Sequence, residues 1–155
     1  MHSSLGSPIT AAPPLTLGRV VILVNDYDAA LAFYQAAFGA RVLFDAPSPT
    51  GDRYLHLGFG HDAVAATGGV GDPPGIGIWL LRVDAGDETR VGRQTGGQPV
   101  AVFYTPDVQA ATARVEAAGG AVVRPVATGD GASFAHVADL YGNEFVLVEL
   151  IADVP

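Results

Sequence analysis

Cysteine and lysine are both missing from the 155-residue chain. Without cysteine there are no disulfides, thiolate ligands or thiol nucleophiles, so any metal would have to be held by His, Asp or Glu. Without lysine there is no Schiff-base chemistry and no phosphate-loop lysine. The glycine-rich run Gly68-Gly69-Val70-Gly71-Asp72-Pro73-Pro74-Gly75 therefore reads as an ordinary loop. Long apolar runs are also lacking, since none approaches the roughly 18 uncharged residues of a membrane span. The first 18 positions lack the basic and apolar regions of a secretion signal. The expectation is a cytoplasmic protein with no membrane partner. Positive charge is scarce: eight basic residues, all arginine, face sixteen acidic ones, for a formal net charge of −8. Such a balance repels phosphate backbones and argues against a nucleic-acid partner.

What the chain does contain is a repeat. The apolar run Val20-Val21-Ile22-Leu23 leads into Val24-Asn25-Asp26 and on through Ala30-Leu31 and Phe33-Tyr34 to Gly39. Val100-Ala101-Val102-Phe103 leads into Thr105-Pro106-Asp107, through Ala110-Ala111, to Gly120. Asp26 matches Asp107 and Gly39 matches Gly120, 81 positions apart in each case. A duplicated strand–turn–helix unit predicts a pseudo-twofold domain whose halves can wall a shared cleft.

Periodicity fills in each copy. Strands are predicted over 19–24, 41–44, 54–59 and 76–83, with a helix between the first two. Asp26 or Asp28 is its N-cap, its stripe is Tyr27, Ala30/Leu31, Tyr34 and Phe38, and Gly39 stops it. The second copy repeats the order, with strands over 100–104, 121–124, 133–137 and 145–151 and a helix over 107–118 striped by Val108, Ala111, Val115 and Ala118. The reading is α+β, two βαβββ modules (17–83 and 98–151) forming a cup-shaped mixed sheet with helices on the outer face. A polar, glycine-bearing linker covers 84–97, and a disordered tail covers 1–16.

Two segments resemble a known family: Val24-x-Asp26-x-x-x-Ala30-Leu31-x-Phe33-Tyr34-x-x-x-x-Gly39, and the terminal Asp139-Leu140-Tyr141-Gly142-Asn143-x-Phe145-x-Leu147-x-Glu149. They resemble the glyoxalase / bleomycin-resistance / extradiol-dioxygenase superfamily, the vicinal oxygen chelate fold, over about residues 17–151. In metal-using members, His or Glu on the first and last strands of each copy hold a divalent metal. The resemblance places those slots at Arg19, Trp79, Val100 and Val146. Valine has no donor atom, the indole nitrogen only donates, and guanidinium is a permanent cation. The expectation is no metal and no cofactor. Glu149 looks like a terminal ligand, but it lies an odd offset of three from the Val146 slot, which turns it to the opposite face of its strand.

With Arg19 facing the cup, alternation puts Val21 and Leu23 beside it and sends Val20, Ile22 and Val24 under the helices. Tyr54 and His56 then face the cup, as do Phe134 and His136 in the second copy, and Tyr104 and Glu144 share that parity. An apolar wall bearing Arg19, Tyr54, Trp79, Tyr104 and Glu144 suits a small aromatic or anionic ligand. His56 and His136 are either a symmetry-related acid–base pair or satisfied polar residues of half-buried strands. Arg19 either pairs with an internal carboxylate, Glu144 or Glu149, or holds a ligand oxyanion in place of the metal's charge. His2 and His61 receive no role.

Two classes of function therefore stand. One is a metal-free module that binds a small molecule. The other is a metal-free lyase or isomerase using His56/His136 as acid–base with Arg19 as oxyanion holder. A third reading, a metal-dependent lyase or dioxygenase, would need ligands relocated to His56, His136 and Glu144. The resemblance also implies a homodimer, because superfamily members commonly assemble or exchange modules across a twofold.

Overall fold

The computed structural model describes residues 14–60 and 75–151. Most of the predicted tail, His2, His61 and most of the glycine-rich loop lie outside them. The first module runs β1 (Arg19–Val24), α1 (Tyr27–Phe38), β2 (Arg41–Pro47), β3 (Arg53–Gly58) and β4 (Gly77–Arg82). After a single 3-10 turn, Glu88–Arg90, the second runs β5 (Ala101–Tyr104), α2 (Val108–Ala117), β6 (Ala121–Gly129), β7 (Ala132–Ala138) and β8 (Glu144–Leu150).

The repeat dictates the local structure twice. Asp26 and Asp107 are extended residues whose carboxylates accept from the Ala29 and Ala110 amides at 2.8 and 3.0 Å, satisfying an orphan N–H at the start of each helix. Gly39 ends α1 at φ 65°, a left-handed conformation that glycine adopts without strain. Each module then closes a four-stranded sheet, in the order β1-β4-β3-β2 and β5-β8-β7-β6. The edge pairs β1–β4 and β5–β8 are parallel and the others antiparallel.

The two sheets share no ladder. Their connection is a common core in which Ile22, Val24, Leu55, Leu57 and Leu80 from the first sheet meet Val137, Phe145 and Leu147 from the second across Phe33, Tyr34 and Val115 of the helices. Phe38, Phe59, Phe103 and Phe145 form its aromatic centre, with Phe38–Phe103 and Phe59–Phe103 ring centroids both 4.9 Å apart. Each sheet therefore has one face on the helices and turns the other away from this core.

Polar groups also join the modules. The buried Asp139 accepts from Tyr34 Oη of α1 at 2.7 Å, from the amides of Tyr141 and Asn143, and from Asn143 Nδ2. The two segments that carry the family resemblance, one in α1 and one at the glycine turn, are thus tied together physically through Tyr34 and Asp139. The residues before β5 press on the same turn: at Gly92, φ 78°, a Cβ would lie 1.8 Å from the Tyr141 carbonyl oxygen. Gln94 from this stretch closes part of the free edge of β1. Its Oε1 accepts from the Leu23 amide at 2.9 Å, and its Nε2 donates to the Val21 carbonyl at 2.7 Å.

Candidate functional site

The open face of the first sheet carries Arg19, Tyr54, His56 and Trp79, and strand register explains why they meet. His56 pairs with Trp79 on β4 and with Phe44 on β2, so their side chains rise from the same face. The His56 and Trp79 ring centroids are 5.5 Å apart, Tyr54 and Trp79 6.0 Å, and Phe44 and His56 5.8 Å. Arg19 reaches the group from the start of β1. Its Nε donates to His56 Nδ1 at 3.3 Å, and its terminal nitrogen donates to the Gly18 carbonyl at 2.9 Å. Among the described residues the Arg19 side chain thus meets an imidazole and a backbone carbonyl, while the expected Glu144 and Glu149 bond elsewhere, to His136 and to the Val108 amide.

Trp79 leaves something unfinished. Its Nε1–H is buried and has no hydrogen-bond partner among the described residues. A buried donor without an acceptor costs roughly 1–3 kcal/mol, so an acceptor atom brought in beside Tyr54 and His56 would find a donor already desolvated.

The open face of the second sheet is built by the same register from different residues. His136 pairs with Val146 on β8 and with Arg124 on β6, as His56 pairs with Trp79 and Phe44. Its Nδ1 lies 2.6 Å from Glu144 Oε1, and the two side chains are only 17% and 19% exposed. Around the pair the face is apolar and open. Val102, Tyr104, Phe134 and Leu150 are all exposed, Tyr104 at 71%. The site residues named from the sequence thus form two clusters, Arg19–Tyr54–His56–Trp79 and His136–Glu144, on sheets that share only their opposite faces. Tyr104 belongs to the second face, opposite Val148 on β8.

Two residues that parity alone did not single out complete these clusters. Phe44 stacks beside His56, and Arg124 stands directly across from His136. Both sit on outer strands beside bulges, where the register shifts and simple alternation along the sequence fails.

A family-type metal does not fit this donor set. Trp79 and Val146 occupy matching positions opposite Val21 and Val102, and Arg19 and Val100 precede them, so no slot offers a lone pair. No group of three His, Asp or Glu side chains able to hold an ion occurs among the described residues. Glu149 is turned to the helix side, where its Oε1 accepts from the Val108 amide at 3.1 Å.

Residues 16–147 match the family model described as Glyoxalase/Bleomycin resistance protein/Dioxygenase superfamily. No curated protein matches the chain. Among solved structures, UcmS2 is similar with a TM-score of 0.69 and 23% identity, over 88% of this chain and 98% of that one. TnmS3, described as an antibiotic binding protein from Streptomyces sp. CB03234, is similar with a TM-score of 0.65 and 21% identity, over 90% and 99%. TioX from Micromonospora sp. ML1 gives 0.59 and 22%, over 88% and 99%. At these identities the likeness establishes the fold.

Proposed function

The chain belongs to the Glyoxalase/Bleomycin resistance protein/Dioxygenase superfamily, and from that premise we propose that it is a metal-independent binding protein for a small aromatic or anionic molecule. The observation that carries this reading is the donor-rich aromatic wall of the first sheet. There, beside the Arg19–His56 pair, Trp79 Nε1–H has no acceptor among the described residues. A planar ligand stacking on Tyr54 and Trp79 and offering a carboxylate, carbonyl or nitro oxygen would meet that wall. The description of TnmS3 as an antibiotic binding protein supports small-molecule binding as the role.

The working cleft, in this reading, belongs to a homodimer. Both open faces point away from the shared core, so a cleft with both as walls needs a second copy to set its second sheet against the first sheet of its partner. The exposed Val102, Tyr104, Phe134 and Leu150 would be covered in that assembly. Light scattering is expected to give twice the chain mass of 15.9 kDa. A monomer at every concentration removes the two-walled cleft. A thermal-shift screen of planar aromatic acids and phenols, followed by calorimetry, tests the binding itself. Hits are expected to bind more weakly after Trp79→Ala, through lost stacking area. Hits that are indifferent to Trp79 place the ligand elsewhere.

One observation favours a second reading, a metal-free lyase or isomerase: the His136–Glu144 pair has the form of a general base with its orienting carboxylate. Turnover of a bound hit, followed over time and abolished by His136→Phe, would select it.

A further inference from the structure

His56 and His136 occupy equivalent places in the two modules, yet their hydrogen-bond partners have opposite character. Arg19 can only donate, so His56 Nδ1 must be the lone pair and the neutral ring carries its proton on Nε2. Ionised Glu144 can only accept, so His136 Nδ1 carries the proton and Nε2 is the lone pair of the neutral ring. The exchange has a simple origin in the repeat. Where β4 has Gly77, β8 has Glu144, and where β1 begins with Arg19, the second copy has Val100. A Cβ at Gly77 would lie 2.5 Å from the Leu57 carbonyl oxygen, so the first module has no room there for a carboxylate arm. Its histidine, on β3, takes its partner from β1 on the far side of β4 instead.

We infer that the two histidines are held as opposite tautomers, and that the ligand is a hydroxyl-bearing aromatic: an acceptor end on the donor wall of Arg19, His56 and Trp79, and a weakly acidic phenol or enol O–H on His136 Nε2. This deepens the binding reading and rests on it. The second sheet is built to receive such a hydroxyl. Glu144 faces His136 from β8 and stabilises the imidazolium that forms if the ligand proton moves to Nε2, and Arg124 faces it from β6 as a cation for the oxyanion left behind. The step is a plain proton transfer: the ligand O–H bond breaks, Nε2–H forms, and the electron pair stays on the ligand oxygen.

Two arms test the inference on the full-length protein. The first is nitrogen NMR of the imidazole rings without ligand, with His56→Phe and His136→Phe for assignment. His136 is expected as the Nδ1–H form and His56 as the Nε2–H form, with Glu144→Gln releasing the preference at His136 and leaving His56 unchanged. Finding both rings in the same tautomer overturns the assignment. The second arm compares p-nitrophenol with p-nitroanisole, which keeps the nitro acceptor and ring but lacks the hydroxyl. Wild type is expected to favour the phenol about tenfold, the scale of one hydrogen bond to a preset acceptor. The bound phenol should also show its phenolate absorption below its solution pKa. Both the preference and the band should collapse in Glu144→Gln and His136→Phe. Equal binding of the two probes to wild type leaves the cleft standing and overturns the hydroxyl specificity. Binding of neither probe overturns the ligand class, and the tautomers are still decided by the first arm.

Discussion

Replacing Asp139 by Ala is expected to cost about 3–5 kcal/mol of unfolding free energy, because it strips a buried, shared acceptor from four donors at once. The losers are Tyr34 Oη, the Tyr141 and Asn143 amides and Asn143 Nδ2, with Asp139 itself only 4% exposed. Because Tyr34 lies in α1 and Asp139 follows β7, the damage should fall on the packing between modules. Denaturant titration measures it, and a loss below about 1 kcal/mol would mean that the turn is held by its backbone alone. Tyr34→Phe removes one bond of the four and should cost about 1–2 kcal/mol at neutral pH.

The same set of bonds predicts an alkaline limb in the stability profile. Burial first, and the Asp139 charge second, push the Tyr34 hydroxyl well above the ordinary tyrosine range. The folded chain therefore keeps this proton when the unfolded chain has lost it. The stabilisation is full below the unfolded value of about 10 and is lost as pH rises from there towards the folded value. Tyr34→Phe should flatten that limb in part, leaving the smaller contribution of Tyr141, whose hydroxyl is also pushed up by burial.

Replacing Arg19 by Ala is expected to weaken binding of an anionic aromatic hit by about 1.5–3 kcal/mol, a loss of roughly 10- to 150-fold, with the fold intact. The side chain is on the open face, where it bonds His56 and the Gly18 carbonyl, so circular dichroism and melting temperature should move little. It supplies a permanent cation and also fixes the acceptor nitrogen of His56. Removal therefore takes away charge and lets the imidazole turn. Arg19→His should not create a metal site, since Val100 and Val146 still offer no donor. Calorimetry that finds equal affinity for wild type and Arg19→Ala would reduce Arg19 to a structural residue of the β1 start.

The repeat made most of this fold legible. Asp26 and Asp107, matched in sequence, are both helix N-caps in the structure, and β1 occupies the six residues that its apolar run and the preceding Arg19 delimit. The second module's outer strand was harder. β6 runs on to Gly129, well past Arg124, through Pro125 and a largely exposed stretch. An edge strand tolerates proline and needs no apolar alternation, so periodicity had nothing to read there. The helix stripe was incomplete for a related reason. Phe33 and Ala37 are buried along with Tyr34 because α1 packs under both sheets, which widens its apolar face beyond one row.

The site was legible as a set of parities and illegible as a set of partners. Strand alternation placed Tyr54, His56 and Trp79 on one face, where their rings are in contact. It could not say that Arg19 would bond His56, because that depends on Gly77 leaving β4 bare opposite the arginine. Nor could it show that His136 and Glu144, eight residues apart across the glycine turn, would meet at 2.6 Å; antiparallel pairing of β7 with β8 does that.

The central claim is binding without the family's metal, and one experiment addresses it directly: affinity for a screened aromatic hit before and after exhaustive chelation, with metal content measured on the same untagged sample. The account predicts no stoichiometric divalent metal and the same affinity in both samples, because Arg19 stands where a ligand for the ion would have to be. Stoichiometric Fe, Mn, Ni or Zn that leaves on chelation and takes binding with it would contradict the account and return the chain to the metal-dependent members of its superfamily.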